Sequence, residues 1–362
     1  MFAQDLITEQ LPGRTLLADG KEYLYFSGTS YLGMAVNPAF QEYLQEGIKR
    51  YGTNYSSSRL SNVQLAVFEE AEHYLVNYTG TEAALTVSSG FLAGQLVVRT
   101  FAQDNSFLYG PRTHPALWLN TQNFNNHNFE EWAEQVPQLI YNSASPDIFI
   151  LFNSLDPLLA KKYDVSWLST LASTKNITCI IDDSHGFGVT GKNGAGISSE
   201  LSLPEGSRKI VVSSLGKALG IPGGVILSDE RTIRELRKSP FFGGGSPIIP
   251  AYLYAFLRAP SIYQRAREKL FANITYFKSL LNKPGLFQNF PDYPVFYTPY
   301  NQLYHFLLQQ DILISSFSYP TPTDEPVTRV ILNSLHAPGD MRQLATLINE
   351  FGASQHNMLL QS

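Results

Sequence analysis

Three short apolar runs constrain this chain more than any other feature. They are Asp147-Ile-Phe-Ile-Leu-Phe, Ile177-Thr-Cys-Ile-Ile and Lys209-Ile-Val-Val-Ser, each bounded by polar, glycine or proline residues. Runs this short and nearly continuous in apolar character read as strands buried on both faces. Helix-like sequence such as Val165-Ser-Trp-Leu-Ser-Thr-Leu-Ala-Ser separates them, and that alternation predicts an α/β domain with a mostly parallel sheet. Upstream, Leu65, Phe68, Ala71, Leu75 and Tyr78 fall at helical spacing with Gly80 as a stop. The last hundred residues have a different texture. Ile312–Ser316 and Val327–Leu332 read as strands, followed by a helix with Asp340 as N-cap, Gln343 at N3, and Met341, Leu344, Ile348 and Phe351 on one face. The expected organisation is an N-terminal arm and helix over 1–45, a large α/β domain over 46–250 and a smaller α+β domain over 251–362.

Composition narrows the function. With 44% hydrophobic and 16% charged residues the 362-residue chain can bury large cores, which argues against disorder. Its net charge of −5, with no Lys/Arg block, predicts neither a nucleic-acid partner nor a membrane surface. The single cysteine, Cys179, excludes a disulfide framework and a cysteine-built metal centre within one chain. The first residues lack a basic stretch followed by an apolar one, so a cytoplasmic protein is expected and the Asn-x-Ser/Thr matches at Asn54, Asn77, Asn176 and Asn273 read as chance.

Gly186-Phe-Gly188-Val-Thr-Gly191 spells a dinucleotide fingerprint after a predicted strand. The fingerprint needs its third glycine to open a helix, yet Lys192-Asn-Gly-Ala-Gly196 reads as more loop, and Glu205 lies in Leu-Pro-Glu-Gly rather than at a strand end. A P-loop reading fails because Asn193 stands where Ser or Thr should bind magnesium. Asp182-Asp-Ser-His185 closes the same strand, where open α/β sheets bind ligands. No further ligand-like spacing accompanies it, so no metal is expected. Lys217, in Ser213-Ser-Leu-Gly-Lys217-Ala-Leu-Gly220, sits just past an apolar strand among small residues. A desolvated lysine has a lowered pKa and can condense with a carbonyl as a Schiff base. Ser88-Ser89-Gly90 precedes the helix-like Phe91–Val98, and a helix N-terminus favours phosphate.

Ser88-Ser-Gly-Phe91, Thr113-His114-Pro-Ala, Asp182-Asp-Ser-His185 and Ser213-Ser-Leu-Gly-Lys217 occur in an order and spacing that resemble fold-type I pyridoxal-phosphate enzymes, and among them the α-oxoamine synthases. Tyr31-Leu-Gly33, Tyr51-Gly-Thr, Ser58-Arg-Leu60, Gly80-Thr-Glu-Ala-Ala84 and the glycine series 188–196 extend the resemblance from about residue 20 onward. It implies a large domain with a mostly parallel, seven-stranded sheet sandwiched by helices, plus a small C-terminal domain. Lys217 would hold pyridoxal 5'-phosphate as an internal aldimine and move protons. Asp182 would face the pyridine nitrogen, His185 the phenolic oxygen and His114 the ring. Ser89, the Gly90 and Phe91 amides and Ser214 would take the phosphate, with Ser246 reaching it from the neighbouring subunit of a homodimer.

The implied activity is condensation of an amino acid or amine with an acyl-CoA through a quinonoid carbanion. The alternatives are an aminotransferase on the same cofactor site, a non-catalytic homologue, or a nicotinamide oxidoreductase. Departures cluster at substrate-facing positions. Thr29 stands for the family's Asn, and Asn153 for its Glu after the third strand. Asn54-Tyr-Ser-Ser57 replaces its Gly-rich loop and Phe68 a histidine, and Ile331 stands for the arginine that usually meets the substrate carboxylate. Arg14 is then the nearest replacement cation, with Arg329 facing the strand's other side.

Overall fold

A computed structural model describes residues 6–102, 106–120, 128–171, 174–319 and 321–359. The chain begins with a hairpin, β1 (Thr15–Ala18) and β2 (Lys21–Phe26), and continues into helices α1 (Pro38–Tyr51) and α2 (Ala66–Thr79). The α2 helix stops where Gly80 takes a left-handed φ of 69° and its N–H reaches back to the Val76 carbonyl. Next come β3 (Ala83–Val87), α3 (Gly90–Thr100), β4 (Ser106–Tyr109), α4 (Phe129–Asn142) and β5 (Asp147–Asn153). Short strands β6 (Leu155–Asp156) and β7 (Lys161–Lys162) precede β8 (Asn176–Asp182), β9 (Arg208–Ser214) and β10 (Gly224–Ser228). Helices α5 (Glu230–Arg237), α6 (Pro240–Gly244), α7 (Pro250–Arg258) and α8 (Pro260–Leu280) lead to β11 (Val295–Thr298), α9 (Gln302–Leu308), β12 (Ile312–Ser318), β13 (Pro326–Ile331) and α10 (Pro338–Leu359).

Contacts divide the chain into two units, one of Asn37–Asp156 with Lys162–Ile262, the other of Met1–Val36, Pro157–Lys161 and Tyr263–Ser362. In the first, a six-stranded sheet runs β3-β10-β9-β8-β5-β4. Strands β4, β5, β8 and β9 are mutually parallel, and β10 is antiparallel to both β9 and β3. The three apolar runs become β5, β8 and β9, each longer by a residue or two. Among the described residues the sheet has six strands where the resemblance implied seven. Leu85, Val97, Leu151, Ile180, Val212 and Ile226 are buried together in a core between sheet and helices. The Val165–Ser173 stretch, read as helix-like, is a short 3₁₀ turn over Ser166–Thr170, and Ala172 and Ser173 lie outside the described residues.

The second unit holds a five-stranded sheet, β1-β2-β12-β13-β11, so the N-terminal hairpin pairs with C-terminal strands, β2 parallel to β12. That pairing puts the N-terminal hairpin in the unit that holds the C-terminal strands, while α1 falls in the other unit. The final helix also starts earlier than expected. Pro338, preset for a first turn, opens it, and Asp340 lies inside that turn, its carboxylate accepting the Ala337 N–H at 2.8 Å.

Candidate active site

The site grows from one edge of the six-stranded sheet. The parallel register pairs Asn153, the last residue of β5, with Asp182, the last of β8, and Asp182 in turn with Val212 of β9. Strand ends at this edge are where open α/β sheets collect ligand-binding groups. Two residues past β3, Ser89 caps α3 by accepting the Leu92 N–H at 3.0 Å. Gly90 follows with no room for a side chain, since a Cβ there would lie 2.6 Å from the Ser214 Cβ and 2.9 Å from its nitrogen. Helix start and β9 end are therefore in direct contact, and Ser89, Gly90 and Ser214 share one corner. Phe91 is exposed.

Lys217 lies in the loop joining β9 to β10, which is closed by the Leu215 N–H on the Gly223 carbonyl and the Ile221 N–H on the Leu215 carbonyl. Burial pushes its amine below the ordinary lysine value, and the Asp182 carboxylate pulls the other way. His114 is held below its ordinary value chiefly by burial, opposed by Asp182 and reinforced by the Lys217 charge. Its Nδ1 lies 3.8 Å from an Asp182 oxygen and accepts the Ala116 N–H at 3.1 Å. Lys217, Asp182 and His114 thus form one electrostatically coupled group. Asp182 also accepts the Ser184 N–H at 2.9 Å, and the Ser184 hydroxyl accepts the Ser214 N–H at 2.8 Å. His185 follows, half-buried in the turn after β8. Ser246 is exposed in the loop between α6 and α7. Among the described residues, no group of three or more His, Cys, Asp or Glu is placed to hold a metal ion.

The glycine series after β8 serves packing. Strand alternation turns Asp183 away from Asp182 and buries it, where it accepts the Ser154 hydroxyl at 2.6 Å and the Ile197 N–H at 2.9 Å. A Cβ on Gly196 would fall 1.9 Å from the Asp183 carboxylate, and one on Gly188 (φ 88°) would press on Ala218, next to Lys217. These glycines close a loop around Asp183 and pack it under the lysine loop, and Gly191 leads only into a short 3₁₀ turn, Lys192–Gly194, not the α-helix a dinucleotide fingerprint needs.

Several substrate-side readings change. Arg14 does not offer a spare cation, because its guanidinium makes two 2.6 Å bonds to both Asp340 oxygens. Arg329 does not face away from the Ile331 side, since residues two apart share a strand face. It is buried, donating to the Pro157 carbonyl at 3.0 Å and the Ser315 hydroxyl at 3.2 Å. Ile331 is buried beside it in β13. Phe68 lies under the buried Arg59 guanidinium, 4.2 Å from ring centre to carbon, and Arg59 pairs with Glu72. Thr29 lies in the turn after β2, its carbonyl accepting the Tyr31 N–H at 2.9 Å. The anchoring roles of Asn153 and Asp183 had no local signal beyond their place at adjacent strand ends.

The fold and this strand-end site define a class before they define a protein. The family model for aminotransferase class I and II matches residues 21–348, and the chain belongs to that family. Within it, the chain is similar to the 8-amino-7-oxononanoate synthase of Petrotoga mobilis, 27% identical over 96% of this chain and 92% of that one. Its fold matches the 8-amino-7-oxononanoate synthase of Francisella tularensis with a TM-score of 0.69, 21% identity and 92% and 99% of the two chains covered. A serine palmitoyltransferase from Sphingomonas wittichii superposes with a TM-score of 0.78 at 15% identity, over 96% and 92% of the two chains.

Proposed function

We propose that this chain is a pyridoxal-phosphate-dependent transferase of the α-oxoamine synthase type, which condenses an amino acid with an acyl thioester such as an acyl-CoA. The coupled group of Lys217, Asp182 and His114 carries this reading. The residues fit the cofactor. A desolvated amine, a buried carboxylate and an imidazole converge, and a helix start with no space for a Cβ at Gly90 lies against Ser214. Ser89, the Gly90 and Phe91 amides and Ser214 would hold the phosphate, Asp182 the pyridine nitrogen, His185 the phenolic oxygen and His114 the ring face. When bound, the cofactor supplies an electron sink for charge developing on the substrate α-carbon.

The chain's own groups then have defined tasks. The Lys217 Nζ, its basicity lowered by burial, gives up its proton more readily than a solvated lysine and so is more often the neutral amine that can accept one. Asp182, tethered by the Ser184 amide, would orient the pyridine ring. Full-length relatives that are synthases support acyl transfer over transamination. The exposed Ser246 would complete the phosphate site of a neighbouring copy, making the working form a cytoplasmic homodimer.

The test is a screen of amino acids against the holoenzyme, with and without acyl-CoAs, following cofactor absorbance and thiol release. Amino acids should shift the absorbance, and free thiol should appear only when an amino acid and a thioester are both present. Amino transfer to a 2-oxo acid with no thiol release would overturn acyl transfer. A protein that takes up no pyridoxal phosphate would overturn the whole reading.

A further inference from the structure

We propose that Asn153 is a positioning residue for His114, acting as a two-armed clamp on the backbone that carries the imidazole. This deepens the reading of His114 as a ring-facing residue and rests on it. The Asn153 Oδ1 accepts the His114 N–H at 3.1 Å, and its Nδ2 donates to the Arg112 carbonyl at 2.7 Å. The two partners fix the amide's orientation, because an N–H needs the oxygen and a carbonyl needs the nitrogen. Asn153 is itself buried and ends the strand paired with Asp182, so the clamp ties His114 to the element that bears the carboxylate.

The clamped segment would not hold this shape unaided. Arg112 has a φ of 54°, in the left-handed region that non-glycine residues rarely adopt. Its side chain is anchored by Asp156 at 2.7 Å, and the Thr113 hydroxyl donates to the Gly110 carbonyl at 2.6 Å. Beyond the clamp, the Ala116 N–H occupies the His114 Nδ1. A backbone N–H can only donate, so the neutral ring carries its proton on Nε2. The Ala116 N–H therefore sets which nitrogen bears hydrogen, and Asn153 holds the His114 backbone in the place from which the ring meets that N–H, so releasing the clamp frees the ring to exchange tautomers. A carboxylate at this position could accept from His114 but could not donate to Arg112, so Asn153→Asp breaks one arm and keeps the other.

Nitrogen NMR of ring-labelled histidine in the protein without cofactor reads the clamp directly. The wild type should show a single Nε2–H form for His114, and Asn153→Ala should show exchange between both tautomers. Cofactor affinity, from absorbance titration of pyridoxal phosphate, reads the consequence. Asn153→Ala and His114→Ala should each weaken binding about tenfold, and the double variant should be no weaker than His114→Ala alone. Thermal unfolding of each variant, with Asn153→Asp as the conservative case, separates lost fold from lost positioning. Additive effects in the double variant, or an unchanged His114 spectrum in a folded Asn153→Ala, would overturn the clamp. Loss of clamp effects on affinity together with a wild type that binds no cofactor would instead strike the proposed function, and the tautomer result would still decide the clamp.

Discussion

Asp183 is held in a buried pocket where burial outweighs two hydrogen bonds that favour its charged form, and its carboxyl is pushed up to about 7 from an ordinary 3.8. The sign of the consequence is fixed. The folded protein keeps the proton where the unfolded chain has lost it, so stability from this group is full below about pH 4 and declines as pH rises toward 7. At about 1.4 kcal/mol per pH unit, the decline amounts to roughly 4 kcal/mol across that window. Asp183→Asn mimics the protonated carboxyl. Its oxygen can accept the Ile197 N–H, and its amide can donate to the Ser154 hydroxyl, which then serves as acceptor. Asp183→Ala leaves that hydroxyl and that N–H without their acceptor, costing about 1–3 kcal/mol for each buried donor at any pH. Urea unfolding of the three proteins between pH 4.5 and 8 should show Asp183→Asn gaining on the wild type as pH rises, while Asp183→Ala is weaker than Asp183→Asn throughout. A difference between Asp183→Asn and wild type that stays constant with pH would refute the reasoning.

A Gly90→Ala change must displace Ser214 by the 2.6 Å clash at its Cβ, so it should lower stability by about 1–3 kcal/mol and weaken pyridoxal phosphate binding at the same corner. Calorimetry and absorbance titration read the two effects separately. Arg14→Ala removes a bidentate but half-exposed ion pair with Asp340, so it should cost about 1 kcal/mol of stability and leave amino-acid binding unchanged. Weakened amino-acid binding with unaltered stability would restore Arg14 as the substrate cation.

Strand positions in the core were readable because the middles of β5, β8 and β9 are buried on both faces and apolar there, as in Ile148–Phe152, Cys179–Ile181 and Ile210–Val212. The α2 helix was readable for the converse reason, an apolar stripe with a glycine stop. What escaped the sequence was long-range. The antiparallel direction of β10 leaves no mark in Gly224–Ser228, since a strand within a covered sheet is apolar whichever way it runs. Nothing local in Lys21–Phe26 announces a parallel partner at Ile312–Ile314. Arg14 looked available because its partner lies 326 residues away. At the site, Lys217, Asp182 and His114 were identifiable as types at spacings, but Asn153 and Asp183 act through hydrogen bonds that only the fold creates. The glycines between 186 and 196 were already set against a phosphate loop by the residues that follow them, but their packing role around Asp183 shows only in the fold.

Borohydride reduction of the pyridoxal-phosphate-loaded protein, followed by peptide mapping, tests the central claim most directly. The account predicts a single reduced cofactor adduct on Lys217, absent in Lys217→Ala. An adduct on the neighbouring loop lysine, Lys192, with Lys217 unlabelled, would contradict it.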